Sequence, residues 1–341
     1  MEQYDWIAYN LENITDNSDC YKGYYNHNYF IQHNGQKYVL RVPQTNCDIM
    51  DIRVIPEAEV LHFVNKSSIP SPRLIYSDPQ EKFYLHGFID GHLVNDQYYF
   101  RKPLPNYFPR ILGKQMQALH SLNISHGFPG YHHIIAKSPD TRGFYSYLIN
   151  HVSNLYKGFR RQYNLMYNSF MFPSDPFAAV AEDLMQINPR KFVLCHCDIH
   201  RKNLLTTQPL QFIILDWEMA LIGDPFYDIA VHFHKMGYSQ PQKELFIARY
   251  YNYKDTEFYE KFLNEIEIYI RLEQVKSAIV DSVRYSKDIL QDDNDDMQKQ
   301  IDYAIRFQYK LNKAWQVWGV SEENPVNNPI AILNILRQST G

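Results

Sequence analysis

A chain of 341 residues and 40.6 kDa is long enough for two domains or lobes, each with its own core. Its net charge of −4 leaves no basic excess to hold a polyanion, which argues against nucleic acid as a partner. Only 13 residues are glycine, about half the usual share. No two of them stand at i and i+2, so G-x-G-x-x-G is absent, as is G-x-x-x-x-G-K-[ST], and the dinucleotide-binding and P-loop signatures are lost.

The four cysteines (Cys20, Cys47, Cys195, Cys197) are too sparse for a disulfide scaffold. Cys195-His196-Cys197 looks metal-like, but no second ligand pair with zinc spacing accompanies it. The first 13 residues carry neither a basic region nor an apolar run, and no stretch approaches the ~20 apolar residues that span a bilayer. A cytoplasmic protein with unused sequons at Asn13, Asn65 and Asn123 is the expectation.

In chain order, Tyr29-Phe30-Ile31 and Tyr38-Val39-Leu40 read as strands joined through Asn34-Gly35, the pair that a type I′ hairpin turn favours. Pro56 opens a helix that Ser67-Ser68-Ile69-Pro70 ends. Leu74-Ile75 and Phe83-Tyr84-Leu85 read as two further strands around Asp78-Pro79, and Gly87 to Gly91 as a connector. From about 106 the apolar spacing turns helical (Ile111, Leu112, Met116, Leu119, Leu122). Helices are expected over 143–167, 175–187, 242–251, 256–290, 297–318 and 329–338, with strands at 192–196 and 212–216. The acidic run Asp288, Asp292, Asp293, Asp295 and Asp296 reads as a solvated loop.

Chemistry concentrates where two apolar strands end on polar groups. One is Val193 to Cys195, followed by His196-Cys197-Asp198-Ile199-His200-Arg201-Lys202-Asn203; the other is Phe212 to Leu215, followed by Asp216-Trp217-Glu218. An Asp at a strand end, an Asn five residues on and an Asp thirteen beyond that offer two hard oxygen ligands and one further carboxylate. His196-Cys197-Asp198-x-x-x-x-Asn203, Asp216-Trp217-Glu218 and Gly223-Asp224-Pro225-x-x-Asp228-Ile229-Ala230 together resemble the ordered motifs of the aminoglycoside phosphotransferase and choline kinase superfamily. The resemblance implies an α+β, bilobal protein-kinase-like fold. It would have a small antiparallel-sheet N-lobe (1–87) and a large, mostly helical C-lobe (88–341).

The same resemblance assigns roles. Asp198 would orient and deprotonate an acceptor hydroxyl, and Asn203 and Asp216 would hold Mg²⁺ on ATP, with GTP as an alternative nucleotide. Gly23, Asn26 and Asn28 match a nucleotide-covering turn, and Arg41 the phosphate-binding cation, with Glu57 its helix partner and Glu59 the runner-up. His86 and Phe88 fall in the segment that would meet adenine, and Leu119-His120 matches a family helix end. His196 and Asp228 read as structural supports, and Glu218 as support for the metal shell or for its loop. His200 and Arg201 would touch substrate or phosphate, or simply be solvated. Cys197 replaces the family's glycine, and a backbone without positive φ is expected there.

These matches imply a kinase for a small hydroxyl acceptor, expected to be cationic, acting as a monomer or homodimer. An aminoglycoside-type or other antibiotic is the first reading, and a choline or ethanolamine-type metabolic kinase the second. A catalytically silent binding module would show a broken Asp198, Asn203 or Asp216, and all three are present. Acids of the helical region (Glu265, Glu267, Glu273, Asp281) and tyrosines (Tyr145, Tyr147, Tyr269, Tyr285) are candidates to meet a cationic acceptor.

Overall fold

The computed structural model describes residues 6–7, 11, 20–23, 25–44, 53–99, 102–124, 128, 141–208, 211–251, 256–290, 296–321 and 323–338. The chain opens on β1 (Cys20–Lys22), β2 (Asn26–His33) and β3 (Gln36–Pro43). Asn34 and Gly35 both take positive φ (49° and 76°), and this two-residue turn sets the register His33↔Gln36 through Asn26↔Pro43. α1 (Glu57–Val64) follows Pro56, which sits at the N-cap with extended ψ, one position earlier than a first-turn proline. β4 (Leu74–Ser77) and β5 (Tyr84–Gly87) complete an antiparallel sheet of order β1-β2-β3-β5-β4.

The chain continues through β6 (His92–Leu93), α2 (Val94–Gln97), α3 (Tyr107–His120), α4 (Thr141–Gln162), α5 (Asn164–Ser169) and α6 (Ala178–Leu184). Then come β7 (Val193–Cys195), β8 (Leu204–Gln208), β9 (Gln211–Ile214) and β10 (Leu221–Gly223). α7 (Pro225–Met236), α8 (Gln240–Tyr251), α9 (Thr256–Leu290), α10 (Met297–Trp318) and α11 (Pro329–Gln338) end it. The class is α+β, with a small antiparallel sheet in the N-terminal region and a mostly helical C-terminal part, as expected.

Two expectations change in detail. The helix expected over 143–167 breaks at Tyr163 into α4 and α5. The helix expected from Asp175 begins only at Ala178, because Asp175 Oδ1 accepts the Phe177 N–H at 3.1 Å in an Asx turn. Within the acidic run, Asp292, Asp293 and Asp295 lie outside the described residues. Asp296 is the N-cap of α10, its Oδ1 accepting from the Gln298 and Lys299 N–H groups at 3.0 and 3.2 Å.

The chain forms two compact units. The first comprises residues 1–132, 193–222 and 235–254. Its sheet buries Leu40 and Leu85 against Ile7, with Trp6 stacked on His33. Also in this unit, α3 packs on α8. There a Cβ on Gly113 would lie 2.5 Å from the Phe246 carbonyl, and His120 at the end of α3 shares a 2.6 Å hydrogen bond with the Tyr250 hydroxyl. The second unit comprises 133–192, 223–234 and 255–341 and is helical, α9 packing along α10 with Phe170, Phe307 and Trp315 fully buried. Among the described residues no helix is long and apolar enough to cross a membrane.

Candidate active site

The loop after β7 is held at both ends by the residue that precedes Asp216. His196, fully buried, pairs through Nε2 with the Leu215 carbonyl (3.0 Å) and accepts the Asp198 N–H at Nδ1 (3.1 Å), so Nε2 carries the proton. The Leu215 N–H in turn donates to the Asn203 carbonyl (2.9 Å). One residue at the end of β9 thus fixes the start and the finish of the 196–203 loop, and brings Asp198, Asn203 and Asp216 into one region of the first unit.

Cys197 has φ +60°, contrary to the expectation for a glycine-to-cysteine exchange. Hydrogen bonds on His196 and Asp198 flank this peptide on either side, and the buried thiol side chain is carried through a left-handed turn. Asp216 is also left-handed (φ +63°), in a residue type that tolerates it better than most.

Asn203 Nδ2 donates to Asp198 twice, to its carbonyl (3.0 Å) and to Oδ2 (2.8 Å). Asp198 Oδ1 is gripped by Lys235 from α7, and His200 Nε2 stands 3.5 Å from Oδ2. Burial opposes ionisation of Asp198, but Lys235 and then His200 outweigh it and hold the carboxyl well below the usual carboxylate range. Arg201 is buried, not solvated. Its guanidinium donates to the carbonyls of Tyr98 (3.1 Å), Tyr99 (2.8 Å), Lys102 (2.7 Å) and Met236 (2.8 Å), which makes it a tie between backbones.

The second cluster is built around Arg41 on β3. Its guanidinium contacts Glu57 (3.0 Å), Asp216 Oδ1 (2.9 Å) and Glu218 Oε2 (3.2 Å). Glu57 on α1 is the helix partner, not Glu59. It also accepts from the Tyr84 hydroxyl and from the Trp217 N–H (2.9 Å), so it secures the 216–218 segment as well as the cation. Asn26 Nδ2 donates to Glu218 Oε2 (2.7 Å). Oxygens of Glu57, Asp216 and Glu218 lie within 4.8 Å of one another, three acids around one guanidinium. Burial and then Asp216 push the Glu218 carboxyl up to about 9, more than Arg41 pulls it down. Beyond burial, the upward push on Glu218 reports the repulsion between these clustered hard oxygens, a donor set that fits a small divalent cation such as Mg²⁺.

The other residues expected to border a nucleotide lie on or beside the same sheet. Gly23 closes the β1–β2 turn through its N–H to the Asn26 carbonyl (2.9 Å), and a Cβ there would sit 3.0 Å from that oxygen. Asn28 lies directly across from Arg41 in the β2–β3 register. His86 is on β5, opposite Val39, and burial pushes its imidazole down to about 4. The Phe88 N–H is taken by the Lys37 carbonyl (3.1 Å) and the Gly87 N–H by that of Arg73 (2.9 Å), so the sheet already uses two donors of this segment. The Phe88 ring packs edge-on against Phe30.

In the second unit, Asp224 caps α7, its Oδ1 accepting the Phe226 N–H (2.8 Å) with Pro225 in the first turn. Arg190 (2.8 Å) and the Tyr269 hydroxyl (2.8 Å) also donate to its carboxylate. Asp228 is fully buried one turn later. The acids expected to meet a cationic acceptor are engaged internally: Glu265 with Arg190, Glu273 with Lys276 (2.5 Å) and the Tyr227 hydroxyl (2.8 Å), and Asp281 with Lys310. Tyr145 and Tyr269 are buried, with hydroxyls on Asp224, and Lys310 already covers Tyr285. Glu267 is exposed.

Sequence reading missed Lys235, Tyr84 and the role of Arg201. For Lys235 the available signal was a basic residue in a last helical turn followed by Gly237, a pattern usually read as dipole compensation and a helix stop.

A family model described as the phosphotransferase enzyme family matches residues 20–262. Among solved structures the chain is similar to an ethanolamine kinase of Plasmodium vivax, with 17% identity and a TM-score of 0.66 over 90% of this chain and 85% of that one. It is similar to a choline kinase of Streptococcus pneumoniae (13%, 0.56, 93% and 99%) and to an ADP-bound aminoglycoside phosphotransferase (15%, 0.54, 93% and 99%). At these identities the likeness is one of fold, and that fold is protein-kinase-like.

Proposed function

The chain belongs to the phosphotransferase enzyme family, and from that premise we propose that it moves the γ-phosphate of ATP to a hydroxyl of a small amine-bearing acceptor. What supports this reading is the tie between Leu215 and Asn203, which gathers Asp198, Asn203 and Asp216.

Phosphoryl transfer demands positioning and charge neutralisation more than covalent chemistry. Asp198 orients the acceptor hydroxyl and takes its proton as the oxygen bonds to phosphorus and the bond to the β-phosphate oxygen breaks, releasing ADP. A low carboxyl pKa suits a role that is more orientation than strong base. Asn203 and Asp216 are the residues that would hold Mg²⁺, with Glu218 beside them; the ion supplies neutralisation of the phosphate oxygens. Arg41, pinned by Glu57, faces the α- and β-phosphates under the turn of Gly23, Asn26 and Asn28. His86 and Phe88 border the adenine, the latter through its ring or carbonyl. Asp228 serves as a structural support rather than a reacting group. In this proposal residues 1–87 form the nucleotide lobe, 88–341 the acceptor lobe, and the enzyme works in the cytoplasm.

An aminoglycoside-type antibiotic is the first acceptor considered. A second reading, an amino alcohol such as choline or ethanolamine, gains from the internal pairing of Glu265, Glu273 and Asp281. That pairing leaves fewer acids for a polycation than the sequence offers. The deciding experiment is an ADP-release screen with ATP or GTP and Mg²⁺ across aminoglycosides, other amine-bearing antibiotics, choline and ethanolamine, with Asp198→Asn as control. Turnover of one acceptor class that vanishes in the variant is expected. Equal ADP release by both proteins on every acceptor would sink the kinase reading.

A further inference from the structure

We infer that Lys235 is a positioning residue for phosphoryl transfer, holding Asp198 by Oδ1 while Asn203 holds it by Oδ2; this rests on the reading of Asp198 as the group that meets the acceptor hydroxyl. Three observations converge.

The two oxygens of Asp198 have different partners. Oδ2 accepts from Asn203 Nδ2 at 2.8 Å and faces His200 at 3.5 Å, whereas Oδ1 is bound by the Lys235 ammonium. A carboxylate held at only one oxygen can still turn about its Cβ–Cγ bond. Held at both, it presents one plane, and Oδ1 keeps the lone-pair direction that Lys235 does not use.

The pair also differs from an ordinary surface ion pair, which is worth little because two long chains must be ordered in water. Asp198 is 14% exposed and Lys235 34%, so the pair is largely shielded from solvent. The backbones at both ends are already joined. Arg201, three residues after Asp198, donates through Nη2 (2.8 Å) and Nε (3.3 Å) to the carbonyl of Met236, the neighbour of Lys235. The same guanidinium holds the carbonyls of Tyr98, Tyr99 and Lys102, so the end of α7 and the 196–203 loop share one anchor.

Finally, Gly237 turns the chain away directly after this anchor. Its φ is +68°, and a Cβ there would lie 3.9 Å from Arg201 Nη2. The helix therefore ends where its last lysine projects at Asp198.

In a loose transition state the acceptor oxygen must lie in line with the bond that breaks, and a misaimed Asp198 costs rate more than binding. Removing Lys235 is thus expected to act on kcat and to leave nucleotide binding alone. The test is steady-state kinetics of the full-length enzyme with MgATP. The acceptor is whichever of choline, ethanolamine and kanamycin is turned over fastest, with MgATP hydrolysis by water followed in parallel. Lys235→Met should lower kcat at least tenfold with KM for MgATP within threefold of wild type, and Lys235→Arg should recover at least a third of the wild-type kcat. A Met variant within threefold of wild-type kcat overturns the inference, as does a loss that Arg fails to restore. The Arg variant keeps a cation on a long stem, so its kcat still tests the inference if the Met variant does not fold. An inert Asp198→Asn beside an unaffected Lys235→Met would remove this inference alone, whereas an unaffected Asp198→Asn would remove the kinase reading on which it stands.

Discussion

The Asn203 amide donates both its protons to one residue, Asp198, at 3.0 Å to the carbonyl and 2.8 Å to Oδ2. That leaves the amide oxygen, the ligand-type atom, outside these two bonds. Asn203 therefore serves the proposed metal and the proposed base at once, and the two functions are coupled through one side chain.

Asn203→Ala should consequently cost more than a lost ligand. It frees Asp198 Oδ2 and removes a hard oxygen together, and a kcat loss of about 10²-fold or more is expected. Combining it with Asp198→Asn should add little, since residues that act as a unit are not additive. Coupled ADP-release assays on the single and double variants measure this. A double variant whose loss equals the product of the two singles would show the residues to be independent.

Arg41 compensates Glu57, Asp216 and Glu218 from the buried side of the sheet. Arg41→Met strands these acids, and breaking a buried pair from one side typically costs about 3–5 kcal/mol. Urea denaturation should show a loss of that order. Adding Glu218→Gln should return part of it, because the glutamine cannot ionise against Asp216 once the cation is gone and can still accept from Asn26. Arg41→Lys should fall between, keeping the charge but losing the fork that spans three carboxylates. A Met variant as stable as wild type would mean that the cluster is held together by something other than this cation.

Much of this architecture was legible in sequence, and the exceptions share a cause. The spans expected at 256–290, 297–318 and 329–338 coincide with α9, α10 and α11, because each runs free of glycine and internal proline between clear stops. Asn34-Gly35 marked a hairpin, since a local φ requirement is written in two residues. β1, β6, β8 and β10 run two to five residues, too short for alternation to register. At the site, Asp198, Asn203, Asp216, Arg41 and Glu57 came from ordered motifs. What was missed is long-range: Lys235 reaches Asp198 across 37 residues, and Tyr84 reaches Glu57 across 27. Arg201 read as a substrate contact or a solvated residue, because its partners are backbone carbonyls, which carry no residue identity.

His86 gives the protein an acid-sensitive element. Burial pushes its imidazole down from about 6.5 to about 4, so the folded state resists a proton that the unfolded chain accepts. The unfolded state binds more protons between those values. The His86 contribution is therefore intact above pH 6.5 and lost as pH falls towards 4. Full burial would make this about 3.4 kcal/mol; allowing for partial exposure, about 2 kcal/mol is expected. Urea unfolding at pH 7 and pH 4.5 should show wild type losing about that much more than His86→Asn. Parallel acid limbs in the two proteins would exclude His86 as the source.

Cys197 tests how tightly the loop dictates its own backbone. The left-handed φ of +60° costs an L-residue roughly 1–2 kcal/mol, which glycine would not incur. Glycine, however, gives up a buried thiol side chain, worth about 1 kcal/mol, and enlarges the unfolded ensemble by about 0.5–1 kcal/mol. These contributions nearly cancel, so Cys197→Gly should stay within about 1 kcal/mol of wild type and keep its activity. Cys197→Val should do neither. A β-branched residue is a true outlier at this φ, and the strain of at least about 2 kcal/mol can be relieved only by turning the peptide that Asp198 shares with it. Guanidinium denaturation with kcat measured on the same preparations decides the matter. A valine variant that matches wild type in both would show that the 196–198 backbone is free to leave the left-handed region, and that the hydrogen bonds of His196 do not fix it.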